Sequence, residues 1–337
     1  MTQPPMNQNV TLAEIAEVAG VSPATVSRVL NGDERVAEHR VESVNRAVRE
    51  LGYSPSRAAR SLATGKTGLI ATIIDSNLEV FTDPFWGIVT TAISRTLQKS
   101  NLQALLMATP LNKADNMLAA SLNSQQVDGA IFFQLHDDGF VAELFKQGLP
   151  CVVVGTPKSS KSIPYVDVDN ATGARMATEY LITRGAKNVA TITGDLAISA
   201  GRLRYEGYEA AIAALGQAVD KNLVVNGNFS HESGIEAMEE LLDSGVQFDA
   251  VFVANDLMAL GAMSVLNERD IKVPEQVAVV GFDDMFAAQL GRQKLTTVRQ
   301  DIEGLGSAAA SMIAEMVEGR RPASRMLQTE LIQRDTA

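Results

Sequence analysis

The chain has 337 residues and a mass of 36.0 kDa, which predicts two or three domains. Its apolar fraction of 46% and charged fraction of 20% are typical of a globular protein that can bury a core. No apolar stretch reaches the ~18 residues of a membrane span, and the first ten residues do not resemble a secretory signal. The single cysteine, Cys151, excludes an internal disulfide framework and a cysteine-based zinc site. We therefore expect a cytoplasmic protein that does not bind membranes.

The net charge of −11 is distributed unevenly. Residues 1–68 carry eight Lys or Arg and seven Asp or Glu, a net charge of +1, so the remaining residues carry a net charge of −12. A nearly neutral head on an acidic body permits DNA binding if the bases of the head share one face. Arg28, Arg57, Arg60 and Lys66 are candidates for that face, and scattered solvated charges are the alternative.

The sequence pattern of residues 10–53 predicts three short helices. Thr11 begins a capping box, apolar residues then recur at helical spacing, and Gly20 ends the first helix. A serine caps the second helix, which has Pro23 at its first position, and a third helix spans about residues 37–51. This pattern is typical of a helix-turn-helix, although a plain three-helix packing module has the same spacing.

In a helix-turn-helix the start of the second helix enters the major groove. Short polar side chains suit its exposed positions, and an arginine can bind guanine O6 and N7 with two hydrogen bonds. Ser22, Thr25, Ser27 and Arg28 have this character.

The head also carries a family resemblance. The run VTLAEIAEVAGVSPATVSRVLNGDERV at residues 10–36, with RAVRELGYSPSRAARSLATGKT at residues 46–67, resembles the DNA-binding headpiece of the lactose/galactose repressor family. The resemblance implies that Pro23 and Ala24 make apolar contacts with bases and that Arg28 carries the hydrogen-bonded readout. Thr25 and Ser27 are then expected to contact phosphates.

Residues 54–68 form a predicted hinge. Its helix-forming stretch is below the ~12–15 residues that an isolated helix needs, so we expect it to fold on binding DNA. The resemblance implies that this helix pairs with its dimer mate and inserts Leu62 into the minor groove, and that Ala58 and Ala59 allow close approach. A wedge of this kind is least costly at a flexible pyrimidine–purine step, which predicts a central CG step in a palindromic operator. Leu62→Ala is expected to weaken operator binding but not effector binding. The predicted DNA-binding residues are Thr11, Leu12, Ser22, Pro23, Ala24, Thr25, Ser27, Arg28, Asn31, Ser56, Arg57, Ala59 and Leu62.

From residue 69 onward the pattern becomes an alternation of strands and helices. The strand-like runs are apolar and β-branched, as in parallel strands buried on both faces, and they suffice for two sheets. These runs are residues 69–75, 102–107, 128–133, 150–155, 189–194, 249–256 and 277–284. Amphipathic helices are predicted at residues 86–100, 172–184, 205–214, 231–244 and 256–268. The predicted fold is an N-terminal all-α helix-turn-helix headpiece plus an α/β effector domain of two doubly wound parallel-sheet subdomains.

Polar residues lie at the ends of three of these strands, where ligands of such sheets bind, namely Asp75, Asn255 with Asp256, and Asp283 with Asp284. Asp256 and Asp284 are expected to cap the helices that come next, which leaves Asn255 and Asp283 to face the crevice. A polyol binds well to such carboxylate and amide groups combined with aromatic faces. The DPFW segment at residues 83–86 offers Phe85, which also fits a core position, and Trp86, which fits either role.

The body resembles the effector domain of the same family, which is similar to periplasmic sugar-binding proteins. The segments AGRLRYEGY, VANDLMALGAM, VVGFDD and LTTVRQD imply ligand contacts by Arg204, Asn255, Asp283 and Gln300. The loop SNLEVFTDPFW looks longer than its family counterpart, so the resemblance does not fix the identity of the effector. A sugar is expected, and a nucleobase or nucleoside is the alternative. The predicted effector-binding residues are Asp83, Phe85, Trp86, Arg204, Asn255, Asp283 and Gln300.

The expected domains are a headpiece at 1–53, a hinge at 54–68 and an effector and dimerisation domain at 69–337. The last splits into an N-subdomain at about 69–168 and 298–327 and a C-subdomain at about 169–297 and 328–337. The closing residues TELIQRDTA have no heptad extension, which favours a homodimer over a tetramer.

The sequence therefore predicts a dimeric transcriptional regulator, most simply a repressor of carbohydrate-metabolism genes, that binds double-stranded DNA and a small-molecule effector and needs no cofactor or metal. A regulator whose effector is a phosphorylated protein is the alternative in the same class. An enzyme is not expected. The three histidines, His39, His136 and His231, lack the spacing of metal ligands, and no G-x-S-x-G motif for a nucleophilic serine is present. The sequence also does not fix the separation of any two carboxylates, as a glycosidase would require. A solute-binding component of a transporter would share the fold of the body, but it would not carry a DNA-binding head.

Overall fold

A computed structural model describes residues 10–30, 33, 35–53, 65–75, 83–109, 118, 122, 126–133, 138–158, 162–290 and 292–337. The chain divides into two units, one ending at Thr67 and the other beginning at Gly68. Among the described residues, no helix is both long enough and apolar enough to cross a membrane.

The first unit contains the three predicted helices, α1 (Leu12–Ala19), α2 (Pro23–Leu30) and α3 (Glu38–Glu50). The predicted capping box is present: the Glu14 amide donates to Thr11 Oγ1 over 3.3 Å, and the Thr11 amide donates to the Glu14 carboxylate over 2.6 Å. The helices enclose a small apolar core of five fully buried side chains. These are Ile15, Ala16, Val26, Val44 and Ala47.

The second unit contains two six-stranded sheets. Its strands, in chain order, are β1 (Leu69–Asp75), β2 (Gln103–Thr109), β3 (Gly129–Phe133), β4 (Cys151–Val154), β5 (Tyr165–Val168), β6 (Val189–Thr193), β7 (Val224–Asn226), β8 (Ala250–Val253), β9 (Ala278–Asp283), β10 (Thr296–Gln300), β11 (Arg325–Leu327) and β12 (Thr329–Ile332). Its helices are α4 (Pro84–Lys99), α5 (Gly139–Lys146), α6 (Asn170–Thr183), α7 (Ser199–Ala214), α8 (His231–Asp243), α9 (Asp256–Glu268) and α10 (Ile302–Val317).

Both sheets have the predicted doubly wound arrangement. The first sheet has the order β11-β5-β4-β3-β1-β2 and is parallel throughout. The second has the order β12-β10-β9-β8-β6-β7, in which only the β12–β10 pair is antiparallel. Apolar clusters cover both faces of each sheet, as the near-continuous apolar strands require.

The chain passes between the two sheets three times, after β5, after β10 and between β11 and β12. All of β10 pairs within the second sheet up to Gln300, so the expected subdomain boundary at residue 298 falls inside a strand. Helix α10 follows directly and packs on the first sheet. These crossings bring the carboxyl ends of both sets of strands to one crevice.

One strand differs from its expected environment. The run at 102–107 was expected to be buried on both faces, but β2 is the edge strand of the first sheet and is largely exposed. Leu105 and Leu106 are 42% and 51% exposed. An apolar run alone does not distinguish an edge strand from a central one, because that difference depends on which strands pair.

Candidate functional site

A cavity of about 280 Å³ lies at the carboxyl ends of the strands of the second unit. Its wall includes Phe133 and Asp167 from the first sheet and Asp283 and Gln300 from the second. The volume is close to the lower end of the range for small-molecule sites, about 300–1,000 Å³. Its position is the one that doubly wound sheets use for ligands.

The structure brings all of the predicted effector-binding residues to this one cavity. They come from five separate parts of the chain, namely the start of α4, helix α7, the loop after β8, the end of β9 and the end of β10. The predicted residues in its wall are Asp83, Phe85, Trp86, Arg204, Asn255, Asp283 and Gln300.

Arg204 is the central charged group of the site. It is 4% exposed, and its Nε donates to Asn170 Oδ1 over 2.8 Å while Nη1 donates to the Ala254 carbonyl over 2.6 Å. Nη1 also lies 3.3 Å from Asp283 Oδ1, and the guanidinium carbon lies 3.7 Å from the centre of the Phe282 ring. The combination of fork geometry and stacking is specific to arginine and fixes the side chain against the second sheet.

A hydrogen-bond relay connects Arg204 to the first sheet. Asn170, the first residue of α6, accepts from Arg204 and donates through Nδ2 to Asp167 Oδ1 over 2.9 Å. The Thr156 amide and hydroxyl in turn donate to Asp167 Oδ2 over 2.9 and 2.7 Å. The relay therefore crosses from one sheet to the other at the first chain crossing.

Asp283 presents its carboxylate to the cavity from a strained backbone. Its φ of 115° lies in the left-handed region, which non-glycine residues rarely adopt. Gln300 Nε2 donates to Asp283 Oδ1 over 2.5 Å, and Arg204 approaches the same oxygen. Burial raises the pKa of Asp283 to about 7, against the opposing effects of Arg204 and Gln300. Burial also raises the pKa of Asp83 on the opposite wall.

Aromatic rings form the apolar part of the wall. The ring of Trp86 meets those of Phe85 and Phe133 edge-to-face, with centroid distances of 5.3 and 5.5 Å. Trp86 is only 4% exposed and belongs to the core beneath the first sheet, and it also lines the cavity. Phe85 packs at the edge of that core and also lines the cavity.

Two capping predictions are wrong. The N-cap of α9 is Asn255, whose Oδ1 accepts from the Met258 amide over 3.0 Å, and Asp256 is already inside the helix. Asp284 caps no helix but pairs with Arg299, 2.8 Å from its Oδ2, and with Arg334. Sequence order cannot place a cap to within one residue, because the cap is defined by backbone angles at the helix start.

The structure adds wall residues that sequence reasoning missed. Phe229 has a φ of 74°, and its carbonyl accepts from Asn255 Nδ2 over 2.9 Å. Gly194 accommodates it, because a Cβ there would lie 2.0 Å from the Phe229 ring. The residues around it, N-F-S-H at 228–231, indicate a turn and nothing more specific. The other polar wall residues not predicted are Asp167, Asn170, Asp195, Ser199, Asn228 and Ser230.

The first unit presents the predicted DNA-reading surface on α2. Ser22, Pro23, Ala24 and Arg28 are exposed, whereas Thr25 and Ser27 are partly buried. Ser22 Oγ accepts from the Thr25 amide over 3.2 Å, which makes it the predicted cap. On α1, Thr11 is exposed at the helix start, and Leu12 packs against the core. The other predicted DNA-binding residues, Asn31, Ser56, Arg57, Ala59 and Leu62, lie outside the described residues, as do Ala58 and Arg60.

Comparisons with known proteins agree with this architecture. A family model for bacterial regulatory proteins of the lacI family matches residues 11–56, and one for a periplasmic binding protein-like domain matches residues 178–337. The chain is 38% identical to the HTH-type transcriptional regulator CelR of Thermobifida fusca, over 97% of this chain and 98% of that protein.

Solved structures extend the likeness to three dimensions. A CelR–cellobiose complex matches with a TM-score of 0.76 at 36% identity, over 97% of this chain and 100% of the other. A lac repressor dimer bound to operator and the anti-inducer ONPF matches with a TM-score of 0.84 at 27% identity, over 98% and 99%. The chain therefore belongs to the LacI family of bacterial regulatory proteins and is a DNA-binding transcriptional regulator.

Proposed function

We propose that the chain is a repressor that binds a palindromic operator as a homodimer and responds to a neutral sugar, with cellobiose as the first candidate. The observation that carries this proposal is the single cavity that gathers Arg204, Asn255, Asp283 and Gln300 opposite the aromatic rings beside Asp83. The relative that was solved with cellobiose supports the choice of sugar.

The cavity offers the two kinds of contact that a sugar needs. Carboxylate and amide oxygens accept hydrogen bonds from hydroxyl groups, and the Asp283 and Asp83 carboxyls lie on facing walls. The faces and edges of Trp86, Phe85 and Phe229 can cover the C–H surface of a pyranose ring. A ligand that fills this space touches both sheets at once.

The charge of the wall favours a neutral effector over a phosphorylated one. Four aspartates line the cavity, whereas Arg204 is the one basic side chain among the described lining residues. Its guanidinium already binds Asn170, a carbonyl oxygen and Asp283. An incoming phosphate would find no further basic side chain among the described lining residues and would lie beside several carboxyl groups, which disfavours an anion.

Contacts to both sheets suggest how the effector acts. A ligand that binds one relative orientation of the two subdomains better than the other shifts their equilibrium, and hence the pairing of the hinge segments of two protomers. A coupling of about 1–3 kcal/mol changes DNA affinity roughly 5- to 150-fold.

The sugar arm is tested by calorimetric titration of the full chain with cellobiose, glucose, ribose, glucose 6-phosphate and adenine. We expect cellobiose to bind and glucose 6-phosphate not to bind. Asp283→Ala should weaken cellobiose binding at least tenfold, whereas Asp243→Ala, an exposed carboxylate on α8, should leave it unchanged. Binding of glucose 6-phosphate or adenine in preference to every neutral sugar would overturn the proposed effector class.

The DNA arm is tested by selecting bound sequences from a random DNA pool. A palindrome with a central CG step is expected, and its affinity for the protein should change when cellobiose is added. Selection of a single, non-repeated half-site would contradict binding as a dimer. Incubation with cellobiose should release no glucose, since we propose a regulator and not an enzyme.

A further inference from the structure

The corner that follows β9 has an unusual backbone. Asp283 and Asp284 have φ angles of 115° and 56°, so two consecutive non-glycine residues occupy the left-handed region. Such conformations persist only where surrounding contacts hold them. The first of the two carries the carboxylate that faces the cavity.

A buried carboxylate on α9 holds this corner. Asp256 is 0% exposed; its Oδ2 accepts from the Met285 amide over 2.7 Å, and its Oδ1 accepts from the Thr297 hydroxyl over 2.6 Å. Met285 comes directly after the strained pair, and Thr297 lies on β10 three residues before Gln300. One side chain therefore ties together the start of α9, the corner and the strand that supplies Gln300.

The surrounding sequence makes room for this carboxylate. A Cβ on Gly281 would lie 2.5 Å from Asp256 Oδ1, so any other residue at that position of β9 would displace it. Asp284 does not line the cavity, and its carboxylate binds Arg299 and Arg334 instead. The corner is thus fixed from two directions, and the Asp283 side chain is left to point inward.

We propose that Asp256 is a positioning residue for effector binding, which acts by holding the corner in the geometry that aims Asp283 at the effector. The proposal rests on the proposed function, because it assigns to Asp256 a part in that same site. The competing explanation is that Asp256 only stabilises α9 as an acidic residue in its first turn.

The chemistry of the carboxylate provides a matched pair of variants. Asp256→Asn keeps an oxygen to accept from the Met285 amide, and its new NH₂ group can donate to the Thr297 oxygen. Asp256→Ala can make neither bond. Burial raises the pKa of Asp256 well above its usual value, so the neutral asparagine is a close substitute. Val251→Ala, a truncation in the adjacent strand β8, serves as a control for general destabilisation.

The test combines hydrogen exchange of the effector-free full chain with cellobiose titration. Asp256→Ala should speed exchange in the peptide that contains the corner and raise the Kd for cellobiose at least tenfold, or about 1.4 kcal/mol. Asp256→Asn should restore both properties to within about threefold of the wild type. Val251→Ala should lower Tm and leave the Kd unchanged.

The outcomes separate this proposal from the proposed function. Unchanged exchange at the corner in Asp256→Ala, or a loss of affinity that Asp256→Asn fails to restore, would overturn the positioning role. If the wild type binds no sugar, the proposed effector class fails, and the exchange result alone decides whether Asp256 holds the corner. If Asp256→Ala does not fold, Thr297→Val removes one of the two bonds, and no rise in corner exchange would overturn the role.

Discussion

Replacement of Arg204 by methionine tests the electrostatic organisation of the cavity most directly. Methionine keeps much of the length of the side chain but removes the guanidinium and its 2.8, 2.6 and 3.3 Å contacts with Asn170, Ala254 and Asp283. It also removes the stacking on Phe282. The substitution therefore removes the charge and the hydrogen bonds of the side chain but leaves most of its volume filled.

The expected loss is large, because the partners stay behind in a buried site. Removal of one member of a buried ion pair costs about 3–5 kcal/mol, since the partner must then stay charged and unpaired or take up a proton. That is a considerable part of a total free energy of unfolding of about 5–15 kcal/mol. At roughly 2–4 °C per kcal/mol for a unit of this size, the Tm should fall by about 6–20 °C.

Trp86 provides the assay. It is the only tryptophan and lies in the second unit, so its fluorescence in urea follows the unfolding of that unit alone. Arg204→Lys keeps the charge without the fork and should fall between wild type and Arg204→Met. Arg202→Met, which breaks an exposed pair with Glu206 on the same helix, should cost less than about 1 kcal/mol. An Arg204→Met variant no less stable than Arg202→Met would refute the reasoning.

Three further predictions concern titration, binding and DNA recognition. The folded-state pKa of Asp283 is raised to about 7, above the ~3.9 of an unfolded aspartate, so its contribution to stability falls as pH rises from about 4 to about 7. The Tm of Asp283→Asn relative to wild type should therefore increase with pH over that range, and a constant difference would contradict the raised pKa. Cellobiose should change the fluorescence of Trp86, which lines the cavity, and should fail to do so in Asp283→Ala at the same sugar concentration. Arg28→Ala, an exposed change on α2, should leave Tm unaltered and cost about 1–3 kcal/mol of discrimination between operator and non-operator DNA in competition binding. Equal loss on both DNAs would assign Arg28 to phosphate contact.

Where the local signal was strong, sequence reasoning located the elements well. The three head helices and β1, α8 and α9 lie within a residue or two of their predicted bounds, because caps, glycine stops and helical periodicity act over a few neighbouring residues. The short strands β5, β7, β10, β11 and β12 were not predicted. Their three to five residues carry too little pattern, and they become strands only through the neighbours with which they pair.

Helix α10 shows the same dependence on packing. Its glycine- and alanine-rich sequence was not singled out, yet it covers one face of the first sheet. Small residues are needed there because a Cβ on Gly306 would lie 2.5 Å from the Val89 carbonyl of α4. The reason for the composition is the close approach of two helices, which the sequence of either one does not reveal.

The sequence by itself determined the class of protein, the order of its domains and seven of the residues that line the cavity, because each of these depends on local pattern or on family resemblance. The tertiary structure alone decided what holds those residues in place. The sequence predicts Asp256 as a helix cap, whereas its buried carboxylate accepts hydrogen bonds from Met285 and Thr297. Phe229, which the sequence analysis does not single out, lines the cavity. Both features depend on hydrogen bonds between residues that lie tens of positions apart. Such pairs cannot be identified from the sequence, because only the folded chain brings them together.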